Sequence, residues 1–141
     1  MQVKINAADT HDKPKITALS DGGWVITWQS YGQDGDSSGV VAQAYSADRS
    51  KHGAETQVNT YTTGRQEGPQ ITALPDGGWV ITWRSYGKDG SNYGVYAQAY
   101  NSDGTAQGDE TQVNSYTTGG QDSPQITVLS DDGWVITWQS Y

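Results

Sequence analysis

The residues best suited to chemistry are tyrosines that lie near aspartate and asparagine in two equivalent loops. An aromatic ring can stack on the apolar face of a sugar, while carboxylates and amides hydrogen-bond its hydroxyls. The candidate ligand-binding residues are Tyr31, Asp34, Tyr86, Asp89, Asn92 and Tyr93. The competing interpretation is that the tyrosines at the loop bases only cover the edge of the core.

The sequence offers little for catalysis. There is no cysteine, and the two histidines, His11 and His52, do not recur in equivalent positions. A nucleophile–base pair or a histidine-based metal site therefore has little to build on. Many carboxylates precede glycine, which is ordinary turn chemistry. We assign no catalytic residues and predict that the chain is not an enzyme.

Calcium is the one candidate cofactor. The segments Asp34-Gly35-Asp36 and Asn101-Ser102-Asp103-Gly104 resemble partial oxygen-ligand loops. No complete calcium-binding loop is present, and Asp36 is replaced by Ser91 in the next repeat. Turns are the favoured interpretation, and no metal-binding residues are assigned.

The net charge of −8 disfavours nucleic acid as a partner. No apolar run approaches the length of a membrane-spanning helix, so membrane insertion is not expected. All eight lysines and arginines lie at or before Lys88, whereas residues 89–141 contain seven acidic residues and no basic one. Two interpretations stay open: chance drift between repeats, or a complementary head-to-tail contact between chains.

Internal repetition dominates the chain. The stretch Asp76-Gly77-Gly78-Trp79-Val80-Ile81-Thr82-Trp83 also occurs at Asp21–Trp28, and a third copy at Asp131–Trp138 has Asp132 in place of the first glycine. The first tryptophan of the stretch recurs at Trp24, Trp79 and Trp134, a period of 55 residues. We divide residues 1–141 into a strand-like segment and loop (2–13), repeat 1 (14–68), repeat 2 (69–123) and partial repeat 3 (124–141). The third copy contains only the first two strands.

Each full repeat predicts four antiparallel strands connected by turns: in repeat 2, Gln70–Leu74, Trp79–Ser85, Val95–Tyr100 and Glu110–Ser115. Strand alternation places Trp79, Ile81 and Trp83 on one face, and the flat face formed by Ala97 and Ala99 can receive such rings from a neighbouring sheet. The fold class is therefore all-β, with tandem four-stranded meanders arranged as in a β-propeller. A sandwich or prism of three sheets is the alternative.

The repeat resembles the tandem repeats of very large RTX-type and adhesin-like exoproteins of bacteria. The shared series is Asp76–Trp83, Tyr86-Gly87-Lys88-Asp89-Gly90, Gly94-Val95-Tyr96-Ala97-Gln98, Asn101-Ser102-Asp103-Gly104 and Gln112-Val113-Asn114. The likeness covers all 141 residues, and Trp24, Trp79 and Trp134 stand where many such repeats carry phenylalanine. It implies an extracellular or cell-surface location, repetitive β architecture and calcium, but it supplies no catalytic residues.

Two functions are consistent with these features. The first is a non-enzymatic, self-assembling propeller module with a structural or interaction role. The alternative is a carbohydrate-binding, lectin-like or adhesion module that binds glycans. Because Gln2–Asn6 and Trp134–Ser140 would be open sheet edges, we predict that copies associate head to tail, as a dimer or trimer that closes a ring.

Overall fold

The computed structural model describes residues 10–141, which form ten β-strands and no helix. The strands are β1 (His11–Ala18), β2 (Trp24–Tyr31), β3 (Ser38–Tyr45), β4 (Lys51–Gln57), β5 (Gln66–Ala73), β6 (Trp79–Tyr86), β7 (Tyr93–Tyr100), β8 (Ala106–Gln112), β9 (Gln121–Val128) and β10 (Trp134–Ser140). In this part of the chain, no helix is long and apolar enough to cross a membrane.

The strands form three antiparallel sheets, in the order in which they follow one another along the chain. We call them blade 1 (β1–β4), blade 2 (β5–β8) and blade 3 (β9 and β10). The prediction of an all-β, β-propeller-like fold built from four-stranded meanders is thus confirmed. The predicted strand at Gln2–Asn6 lies outside the described residues.

Two predicted strand positions needed correction. The first strand of repeat 2 begins at Gln66, before Pro69, because a bulge between Glu67 and Gln70 lets the pairing continue past the proline. The fourth strand covers Ala106–Gln112 instead of Glu110–Ser115. Its segment has no large apolar residue whose alternation could mark its position.

The bulge recurs in the first strand of every blade. The residue before each proline has a positive φ: +50° at Lys13, +63° at Gly68 and +53° at Ser123. Only Gly68 adopts this conformation without steric cost, because Lys13 and Ser123 carry a Cβ atom. The bulges bend the three first strands at the same level and turn aside the side chains next to them.

Unlike faces of adjacent blades form the core. The large face of blade 2, with Trp79, Ile81 and Trp83, packs against the small face of blade 1, which includes Val25 and Ala42. The small face of blade 2 packs in the same way against the large face of blade 3, where Val80, Val95 and Ala97 cluster with Ile136. The predicted alternation of large and small faces therefore accounts for both interfaces.

A buried asparagine fastens the connection between successive blades. Asn59 Oδ1 accepts a hydrogen bond from Val40 N at 2.8 Å, and its Nδ2 donates to Tyr61 O at 2.9 Å. Asn114 repeats this arrangement with Val95 N (2.8 Å) and Tyr116 O (3.0 Å). These bonds satisfy backbone groups that the turn between blades would otherwise leave unpaired.

Candidate functional site

The first strands of the three blades lie side by side, since β5 contacts both β1 and β9. At the level of the bulges they surround a cavity of about 190 Å³, which we call the inner-strand pocket. Its lining is mostly polar: Lys13, Gly68, Gln70, Arg84, Asp122, Ser123, Pro124 and Gln125. The positive-φ residues of all three bulges, Lys13, Gly68 and Ser123, are in this lining.

Arg84 is the central side chain of this pocket. Its Nη2 lies 2.8 Å from Glu67 Oε2 on the neighbouring strand, and its Nη1 lies 2.6 Å from Asp122 Oδ1 in blade 3. Burial acts to lower the pKa of Arg84, but the hydrogen bonds to Glu67 and Asp122 outweigh it and raise the pKa. A permanently charged guanidinium thus connects two blades through two carboxylates.

Tyr93 and Tyr86 form an aromatic pair next to this ion-pair network. Tyr93 Oη donates to Glu67 Oε2 at 3.1 Å, and the Arg84 guanidinium lies 4.4 Å from the centre of the Tyr93 ring. Burial, with the nearby Glu67 carboxylate, raises the pKa of Tyr93. Tyr86 meets Tyr93 edge to face, with ring centres 5.2 Å apart, and is 50% exposed.

The two predicted loops are therefore not equivalent. Tyr86 is paired across the hairpin with Tyr93, whereas Tyr31 is paired with Ser38. Tyr31 is 40% exposed, and its hydroxyl accepts a hydrogen bond from Gln29 Nε2 at 3.0 Å. Only the second loop combines two tyrosines, and only that loop adjoins the inner-strand pocket through Arg84.

Asn92 is exposed at the tip of the second loop. Its side chain lies next to Gly120, the residue immediately before β9, and the Tyr141 ring also lies next to Gly120. Asn92, which adjoins Tyr93 in the chain, therefore contacts the segment that leads into blade 3.

The two predicted aspartates have structural contacts of their own. Asp34 Oδ2 accepts from Asn59 Nδ2 at 3.2 Å, and Asp89 Oδ2 accepts from Asn114 Nδ2 at 3.4 Å. Both carboxylates also lie against the strand glycines Gly39 and Gly94. Asp34 and Asp89 thus support the connections between blades and do not join the pocket with Arg84.

The two acids that pair with Arg84, Glu67 and Asp122, were missed by the sequence reasoning. Asp12, Glu67 and Asp122 occupy the same repeat position, two residues before the recurring proline. The 55-residue spacing of these acids could have marked them as a shared site. They were overlooked because residues just before a proline are typical of loops. Arg84 was also missed, since the equivalent residues are Gln29 and Gln139.

The segments considered for calcium form turns. Asp103 Oδ1 accepts from Thr105 N at 2.9 Å and from Thr105 Oγ1 at 2.6 Å. Asp36 Oδ2 accepts from Gly64 N at 2.7 Å. Within residues 10–141, no group of three or more histidine, aspartate or glutamate side chains is placed to hold a metal ion.

Comparison with known proteins yields a similarity of fold. No family model matches the chain, and no curated protein matches its sequence, so the resemblance to bacterial exoprotein repeats stays a prediction. The structure is similar to the crystal structure of an endo-arabinase from Bacteroides thetaiotaomicron VPI-5482, with a TM-score of 0.60 and 14% sequence identity. The match covers 94% of this chain, which spans about half (52%) of the length of the endo-arabinase.

This similarity overturns the prediction that the chain is not an enzyme. That prediction relied on the lack of a recurring histidine or a cysteine, yet a protein of this fold is an endo-arabinase. Glycosidases act through pairs of carboxylates, so neither residue type is required for such chemistry. The chain shares with its neighbour a β-propeller-like fold, and its own chemistry depends on the residues of its site.

Proposed function

We propose that this chain is a carbohydrate-binding propeller module whose site combines the inner-strand pocket with the Tyr86–Tyr93 pair. The observation that carries the proposal is the position of Arg84. This side chain lines the pocket and also lies 4.4 Å from the centre of the Tyr93 ring. Polar and aromatic groups thus meet at one place, as sugar recognition requires.

Each part of the site has a separate role. The half-exposed Tyr86 ring offers an apolar surface on which a sugar ring can stack. Tyr93 supports it from the side and is itself fixed by Glu67 and Arg84. Gln70 and Gln125 in the pocket supply amide donors and acceptors for sugar hydroxyls.

The ion pairs prepare the site before a ligand arrives. Glu67 is buried and bonded to both Arg84 and Tyr93, which limits the rotamers that these side chains can adopt. A site whose side chains are already ordered loses less conformational entropy on binding. Arg84 and Tyr93 therefore act mainly by keeping the proposed sugar-binding surface ordered, and Tyr86 supplies the exposed aromatic part of that surface.

Arabinan and its oligosaccharides are the first ligands to test, because the structural neighbour is an endo-arabinase. A glycan array that includes them would define the preferred sugar. Within a secreted or surface protein, the location that the resemblance to exoprotein repeats implies, such a module would attach the protein to a polysaccharide. Several weak sites in an assembly of copies would gain avidity.

The test of the proposed site is the substitution Tyr86→Ala. Loss of the stacking surface should weaken binding of the best array ligand about tenfold, which corresponds to about 1.4 kcal/mol. Tyr31→Ala is the matched control, since Tyr31 holds the equivalent position in blade 1 and has similar exposure. Equal losses in both variants, or none in either, would count against the site.

The same ligands should be assayed for cleavage. Glu67 and Asp122 are two carboxylates that both pair with Arg84. Most glycosidases use a pair of carboxyl groups as their catalytic residues. Release of new reducing ends from arabinan, abolished by Glu67→Gln, would extend the function from binding to hydrolysis.

A further inference from the structure

We infer that blade 3 of one copy packs against blade 1 of a second copy, so that the chain assembles head to tail. This goes beyond the proposed function and does not depend on it. The observation that carries it is the exposure of apolar residues on the two outer blade faces, compared with the same repeat positions inside the molecule.

The small face of blade 3 is uncovered. Val135 is 41% exposed, whereas its counterparts Val25 and Val80 are each 0% exposed because the next blade covers them. Leu129, at 44%, is similarly exposed, in contrast to Leu74 at 8%. This surface has the composition of a blade interface but no described neighbour.

Among residues 10–141, nothing covers the inner end of the large face of blade 1. Ile16 is 66% exposed, and its cross-strand neighbour Ile26 is half-buried. In blade 2 the residue equivalent to Ile26 is Ile81, which is fully buried against blade 1. The half-buried Trp24 stands where the buried Trp79 stands in blade 2. Both internal interfaces join a small face to a large face. The two outer faces are the small face of blade 3 and the large face of blade 1, so they can pair in the same way.

The internal interfaces favour a second copy as the occupant. Blade 1 carries on its outer side the same kind of large face that blade 2 buries against blade 1, so a second copy offers blade 3 the large face that its small face requires.

The contact would also extend the inner-strand pocket. Within the chain, residues at one repeat position reach the first strand of the next blade: Gln29 Oε1 accepts from Gly68 N at 3.3 Å, and Arg84 pairs with Asp122 at 2.6 Å. Gln139 is the third residue at this position. The inferred interface places Gln139 beside segment 12–13 of the second copy, whose β1 would follow β9 in the row of inner strands.

Light scattering after size exclusion should give a mass of at least two chains for the 141-residue chain at micromolar concentration. Val135→Asp and Ile16→Asp should each shift this mass to one chain, because each places an unpaired charge in the interface. Both positions are exposed in a single chain, so circular dichroism should show that the variants stay folded. Thr111→Asp, on the exposed outer strand β8, is the control and should leave the mass unchanged.

Mixing the two variants separates a head-to-tail contact from a symmetric one. Each variant retains one intact face, so a mixture of Val135→Asp and Ile16→Asp should form a dimer and nothing larger. A monomeric wild-type protein would overturn the inference. So would an assembly that survives both substitutions, or a mixture that stays monomeric.

Discussion

At the residue scale, the site depends on a guanidinium that joins three side chains. Arg84 contacts Glu67, Asp122 and the Tyr93 ring, and the equivalent residues in the other repeats are glutamines. The repeat pattern alone therefore could not reveal it, because the interaction exists only between blades 2 and 3. Asp34 and Asp89 were chosen from their loops, but their bonds to Asn59 and Asn114 come from residues distant in sequence.

Substitution of Arg84 by glutamine, the residue found in the other repeats, should destabilise the protein. It would leave the buried Glu67 carboxylate without its cation, at a cost of about 1–3 kcal/mol in the free energy of unfolding. Denaturant unfolding measures this cost. Arg49→Gln, at an exposed turn position, should change the free energy by less than about 0.5 kcal/mol. Equal effects of the two changes would argue against the network.

Buried tyrosines should make the stability fall at high pH. Burial raises the pKa of Tyr100 to about 12, and it does the same for Tyr96, where the Asp89 charge adds to the effect. In the unfolded chain tyrosine ionises near pH 10. The unfolded state therefore binds fewer protons between these values, and the free energy of unfolding decreases as pH rises through this range.

Tyr100→Phe tests this origin of the pH dependence. The variant should lose less stability than the wild type between pH values of about 10 and 12, because one ionisable group is gone. Tyr116→Phe, at an exposed position, should follow the wild-type curve. A Tyr100→Phe curve parallel to that of the wild type would contradict the assignment.

At the element scale, the strands with strong alternation were predictable and the polar ones were not. Tryptophan and isoleucine at every second position defined the second strand of each repeat. The fourth strand, Ala106–Gln112, contains no such pattern and was placed several residues too late. The bulge escaped notice because a proline within a segment suggests the start of a strand rather than its middle.

Hairpin glycines give a prediction that compares a complete blade with an incomplete one. A Cβ at Gly78 would clash with the carbonyl oxygen of Tyr100 on β7, whereas a Cβ at Gly133 meets no such strand. Gly78→Ala should therefore cost about 1–3 kcal/mol of stability, as overpacking does elsewhere. Gly133→Ala should cost clearly less. Chemical denaturation of both variants would test the difference, and equal costs would contradict the position assigned to β7.

At the scale of the whole molecule, the alternating faces of the repeat predicted the propeller-like arrangement, since large and small faces can be buried only against each other. The inner-strand pocket could not be predicted in this way. It arises where three bulged strands from three repeats converge, and the two acids that pair with Arg84 there, Glu67 and Asp122, looked like loop residues. Self-association is the prediction at this scale, and the paired variants Val135→Asp and Ile16→Asp test it.

The central claim is that a sugar binds where the Tyr86–Tyr93 pair meets the inner-strand pocket. Isothermal titration of the best glycan-array ligand into the wild type, Tyr86→Ala and Tyr31→Ala proteins tests it most directly. The predicted result is binding by the wild type and Tyr31→Ala, with about tenfold weaker binding by a folded Tyr86→Ala variant. No glycan binding by the wild type, or unchanged affinity in Tyr86→Ala, would contradict the claim.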